Sequence, residues 1–71
     1  MQYKQEDEIK ARMKRVGLTA RDLANLLGEP PSTVSNRLNG FIPLHFIQRR
    51  AILEKLQTEE TRKSLIEQEG V

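Results

Sequence analysis

An all-α fold, a small bundle of four to five helices, follows from three features of this 71-residue chain. Its apolar residues recur at three- and four-residue intervals, and no stretch shows the two-residue alternation of a strand. Glycines at 17, 28 and 40 close these periodic stretches, and prolines at 31 and 43 stand where new ones begin. A chain this short is expected to form one domain over 1–71, burying only about 60% of its unfolded surface. No cysteine supplies a disulfide or a thiolate metal site, so stability must come from helix packing.

Ile9, Met13 and Val16 lie at i, i+4 and i+7, which predicts a first helix from about Gln5 to Arg15, stopped by Gly17. Its early acids and later bases suit the helix dipole. Thr19 has N-cap chemistry for a second helix through Leu27, and Asp22 three residues on completes a short capping box. Leu23, Ala24 and Leu27 form the inward face, Ala24 being small enough to let a neighbour approach closely. Gly28 supplies the positive φ of a sharp turn. Pro31 starts a third helix, with Val34 and Leu38 inward, ending at Asn39-Gly40. A fourth begins near Pro43, with Leu44, Ile47, Ala51 and Leu53 or Glu54 onward to Leu56 along its face, flanked by Phe46 and Ile52. From Gln57 to Ser64 no apolar residue occurs; either the fourth helix continues or, the preferred reading, Thr58 caps a separate, loosely docked fifth helix through Gln68 in the 58–71 tail.

The formal charge of +2 is unevenly spread. Between Ile9 and Lys55 there are nine basic residues against three acids, while each end carries a net −2. A positive centre between negative flanks suits a polyanion, because neutralising phosphates releases counterions. Charge alone fits solvated helix surfaces equally well. About five neutralised phosphates per protomer would give log K against log salt a slope of about −4 to −5. No run approaches the roughly 20 apolar residues of a membrane span and the N-terminus lacks a signal-peptide core, which points to a cytoplasmic protein.

Residues 19–40 therefore read as two short helices joined by a glycine turn, the second showing small polar side chains outward. That is the layout of a helix-turn-helix. With GLT at its start, DLANLLG in its body and NRLNG at its finish, the stretch 9–56 resembles the helix-turn-helix domain of the phage repressor and Cro family. The resemblance implies a lambda-repressor-like bundle, double-stranded DNA as partner, transcriptional regulation in a bacterial or phage setting near the nucleoid, usually a homodimer, and no cofactor. Two positions depart from the family pattern. Glu29 stands in the turn where an apolar residue is usual, and Pro30 where a serine or threonine normally caps the second helix. If Ser32 were the N-cap instead, the third helix would start later.

A helix in the major groove reaches base edges with its first two turns, which makes Pro31, Ser32, Thr33, Ser35 and Asn36 the candidate readers. Asn36 is the strongest, since its amide can donate to adenine N7 and accept from N6, whereas hydroxyls discriminate weakly. Ser32 and Thr33 as caps and Asn36 as a solvated residue are the plainer readings. For phosphate the candidates are Thr19 and Arg21 at the start of the second helix, Arg37, Asn39, and the backbone N–H of Gly40. Arg49 and Arg50 are left facing DNA, acids or water, and the lone His45 has no ligand cluster around it, so no metal is expected.

Phe41 and Ile42 either close the bundle over Leu38 and Ile47 or, with Leu65 and Ile66, form a dimer seam. An enzyme is not expected, because Asp22, Ser32, Ser35 and His45 have no enclosed site or glycine-rich loop to serve them. Nor is a small-molecule substrate. The competing reading is a helical protein-interaction module, antitoxin- or antirepressor-like, that keeps the fold. The acid-free stretch from Pro30 to Arg50, with its three arginines, is what an adaptor would not need.

Overall fold

The computed structural model describes residues 3–69, with side chains through residue 67, and among these every regular element is a helix. Residues 1, 2, 70 and 71 of the expected 1–71 domain lie outside the described residues. The helices are α1 (Asp7–Val16), α2 (Ala20–Leu27), α3 (Pro31–Leu38) and α4 (Phe46–Glu69). The expected all-α bundle is thus realised with four helices.

Each short helix ends as its sequence dictates. Thr19 caps α2 through a full capping box: its side chain accepts from the Asp22 N–H, and the Asp22 carboxylate accepts from the Thr19 N–H at 2.8 Å. Gly28 adopts φ 70° and its N–H donates to the Ala24 carbonyl at 2.8 Å, which turns the chain sharply into α3. Pro30 is the N-cap of α3 with Pro31 in the first turn, so the helix does not start late and Ser32 is not its cap.

One core joins all four helices. Ile9 and Met13 from α1, Leu23 and Ala24 from α2, Val34 and Leu38 from α3, and Ile52 and Leu56 from α4 are buried together. The expected apolar face of α4 is corrected in phase. Ile47 is 78% exposed while Ile52 and Leu56 are fully buried. Five residues separate Ile47 from Ile52, roughly 140° around a helix, so both cannot face inward. The helix also starts at Phe46, three residues after Pro43, with the His45 carbonyl accepting from the Arg49 N–H at 2.8 Å.

Two further expectations change. α1 begins at Asp7 and not near Gln5, because residues 3–6 bond across the end of α3: the Tyr3 N–H donates to the Gly40 carbonyl at 2.7 Å and the Glu6 N–H to the Leu38 carbonyl at 2.9 Å. This strap satisfies carbonyls at the end of α3 that would otherwise lack partners. There is no separate fifth helix, since α4 continues without a break to Glu69. Thr58 does not cap. Its hydroxyl donates back to the Glu54 carbonyl at 3.0 Å in mid-helix, and Lys55–Glu59 and Arg62–Glu59 pairs support the turns that follow. The extension is fastened to α1 by a two-bond fork from Arg12 to Glu60, at 2.7 and 2.8 Å, and by Lys63 donating to the Arg15 carbonyl.

Candidate nucleic-acid interface

Val34 and Leu38 anchor α3 in the core, and the opposite side of a helix lies two residues either way from a buried position. Ser32 and Asn36, four residues apart, occupy that outward side and are exposed. Thr33 and Ser35 flank them, partly buried, and Pro31 is exposed at the start. Among the described residues, none of the polar side chains of Ser32, Thr33, Ser35 and Asn36 takes part in a hydrogen bond with the protein. The first turn of α3 carries no acid and no side chain caps it. The face is therefore polar, unspent and at the positive end of a helix dipole.

The phosphate candidates are placed very differently from one another. Arg21 is exposed on the first turn of α2. Thr19 beside it is committed to its own helix, its hydroxyl donating to the Asp22 carboxylate at 3.0 Å and its N–H bound to the same group. Those bonds from Thr19, first the backbone N–H and then the hydroxyl, hold the Asp22 carboxyl below its ordinary pKa. An ionised acid thus sits where a phosphate was expected. Asn39 is half-buried, and its Oδ1 accepts from Lys10 Nζ at 2.9 Å.

Gly40 and Arg37 both bond within the protein. Gly40 is buried beneath the strap with φ 85°, and its N–H points to the Arg37 carbonyl at 3.4 Å. The Arg37 guanidinium turns back to Glu29, Nη2 to Oε2 at 2.7 Å and Nε to both oxygens at 3.0 and 3.2 Å, and donates through Nη1 to the Pro43 carbonyl. Its side chain is 13% exposed. Hydrogen bonding to Arg37, ahead of its charge, holds the Glu29 carboxyl below its ordinary pKa.

Arg49 pairs with the buried Glu6, and Arg50 with Glu54 on the surface at 3.4 Å. Lys14 and Arg15, counted in the basic centre but given no role from the sequence, are exposed in the last turn of α1. With Arg21 they bracket the left-handed Gly17 turn. Among the described residues these three have no carboxylate within ion-pair distance. The sequence offers only a partial signal for them, since no acid stands three or four residues away, but the same is true of Arg37 and Arg49, which are paired at longer range. Phe41 is 60% exposed, so it does not close the bundle, whereas Ile42 is half-buried. Phe46 is exposed as well, at 76%.

A helix-turn-helix family model matches residues 9–45, which spans α1, α2, the turn and α3. The chain belongs to the helix-turn-helix family of the phage repressor and Cro type. No curated protein and no solved structure matches it. Membership makes this helix-turn-helix chain a DNA-binding regulator, in a family of regulatory domains that are not generally enzymes. Among the described residues no helix is long and apolar enough to cross a membrane.

Proposed function

We propose that this helix-turn-helix protein is a sequence-specific transcriptional regulator of the repressor or Cro type, folded as one domain over 1–71, which reads the major groove of duplex DNA with α3. The outward face of α3 carries the reading: Ser32 and Asn36 stand exposed and unspent, opposite Val34 and Leu38. Asn36 reads adenine through its amide, Pro31, Ser32, Thr33 and Ser35 line the same edge, and Arg21, Lys14 and Arg15 take phosphates. Thr19, Asn39 and Gly40 shape the ends of α2 and α3. No small molecule is needed, and such a regulator works in the cytoplasm on the nucleoid.

One helix reads only a few base pairs, so two copies act on related half-sites about 34 Å apart. The exposed Phe41, Phe46 and Ile47, with Leu65 and Ile66 towards the end of α4, are among the apolar side chains available to a dimer seam. So few side chains make a weak seam until DNA holds both copies close. Selection from random duplexes followed by footprinting tests the whole reading. An enriched sequence with two protected half-sites is expected. Binding without enrichment would refute sequence reading, and one protected patch at every concentration would refute the dimer.

A further inference from the structure

Arg37 is the most heavily bonded side chain of α3, and every one of its bonds goes to the Glu29 carboxylate or the Pro43 carbonyl. Its partner Glu29 also accepts from Gln48 Nε2 at 3.0 Å. A single ion pair therefore joins four places: the turn before α3 through Glu29, the last turn of α3 through Arg37, the loop after it through the Pro43 carbonyl, and the first turn of α4 through Gln48. Both members are mostly shielded, at 13% and 18% exposure.

Val34 and Leu38 fix how deeply α3 packs, but two apolar contacts tolerate small rotations about the helix axis. A guanidinium fork on a carboxylate, with a third bond to a carbonyl, does not. Rotation matters for a reader, because an amide must meet a base edge within about 0.5 Å and 10–20° to make its paired bonds. The pair also neutralises the carboxylate in the turn before α3.

We propose that Glu29 and Arg37 form a latch that sets the rotation of α3, so that both are positioning residues for base reading and not DNA contacts. The inference rests on α3 being the helix that enters the groove. Lysine cannot replace Arg37, since one ammonium cannot span both Glu29 oxygens and the Pro43 carbonyl.

The test compares wild type with Arg37→Lys, Arg37→Gln, Glu29→Gln and the Glu29→Gln/Arg37→Gln double variant. Three quantities are read: affinity for the selected duplex against a random one, the salt slope of binding, and hydrogen exchange of the Val34–Leu38 amides in the free protein. Each single variant is expected to cut the selected-to-random ratio about tenfold, within what one bidentate base contact supplies. The salt slope stays at the wild-type value, the double variant is no worse than the worse single, and α3 amides exchange faster. Gln48→Ala, which leaves the ion pair in place, gives a smaller shift in the same direction and serves if a stronger variant fails to fold.

A slope flatter by about 0.9 in Arg37→Gln, with equal loss on both duplexes and rescue by Arg37→Lys, makes Arg37 a phosphate contact and overturns the latch. Unchanged α3 exchange in Arg37→Gln and Glu29→Gln overturns it as well. A wild-type protein with no sequence preference refutes the reading of α3 itself, while faster α3 exchange in Arg37→Gln would still uphold the pair as what holds that helix.

Discussion

Raising the salt concentration asks how many phosphates this surface neutralises, and the ion pairs supply a number. The slope of log Kobs against log salt is about −0.9 for each phosphate contacted on duplex DNA. Nine cations lie between Ile9 and Lys55, so a fully available centre would approach −8. Six of the nine are already paired: Lys10 with Asp7, Arg12 with Glu60, Arg37 with Glu29, Arg49 with Glu6, Arg50 with Glu54 and Lys55 with Glu59. Lys14, Arg15 and Arg21 remain, which sets the slope near −3 per protomer. Of the pairs, Arg50–Glu54 is the most exposed, at 72% and 69%, and an exposed i,i+4 pair costs only about 0.3–0.5 kcal/mol to open. Its release would take the slope to about −4, whereas the forks at Arg12 and Arg37 are expected to stay closed. Fluorescence anisotropy with a labelled duplex, from about 50 to 200 mM salt, measures this directly. The Lys14→Gln/Arg15→Gln/Arg21→Gln variant should lose most of the dependence. A wild-type slope steeper than about −5 would mean that the ion pairs open on DNA and that this accounting is wrong; a flat response would remove the DNA surface altogether.

Asn36→Ala is expected to cost roughly 1–3 kcal/mol on the selected duplex and to relax one position of the preference, leaving random-duplex affinity unchanged; equal small losses on both would show that Asn36 reads no base. Gly28→Ala and Gly40→Ala both pay about 1–2 kcal/mol for a left-handed alanine, but only at Gly40 does the new Cβ run into the Tyr3 carbonyl, so urea unfolding should show the larger loss there. Equal losses would mean that the strap is not held at Tyr3. Bonding to Arg12 lowers the Glu60 pKa in the fold, so its stabilisation is present above the ordinary value of 4.5 and is lost as pH falls through the lower folded value. Glu60→Gln should lower the melting temperature at neutral pH and shrink its fall in acid; an undiminished fall would place the acid-sensitive groups elsewhere.

The helix-turn-helix was legible because its signals are local. Thr19 with Asp22, Gly28 four residues after Ala24, and Pro31 in a first turn each act within one helical turn, and each is seen where its spacing puts it. The misjudged features depend on partners distant in sequence. α1 starts late because residues 3–6 bond to the end of α3, some 35 residues on, and α4 runs through to Glu69 partly because Arg12 and Lys63 tie its far half to α1. The phase of α4 failed for another reason. Ile47 and Ile52 are equally apolar, and only contact with the other three helices decides which is buried.

At the candidate site the same divide appears as a question of charge. A sequence shows which side chains are cationic but not which are already spent. Arg37 stands on α3 in a stretch free of acids after Glu29, and by position in the sequence it looks like a DNA contact. The acid at Glu29, which breaks the family pattern in the turn, lies eight residues back and across a helix end, beyond any i,i+4 rule. The acid that departs from the family pattern in the turn and the arginine read as a phosphate candidate are therefore one feature. The carboxylate is met by the guanidinium, and the guanidinium is spent on the carboxylate. In the proposed function the uncharged outward face of α3 discriminates between bases, while attraction to the duplex falls to Lys14, Arg15 and Arg21 around the Gly17 turn.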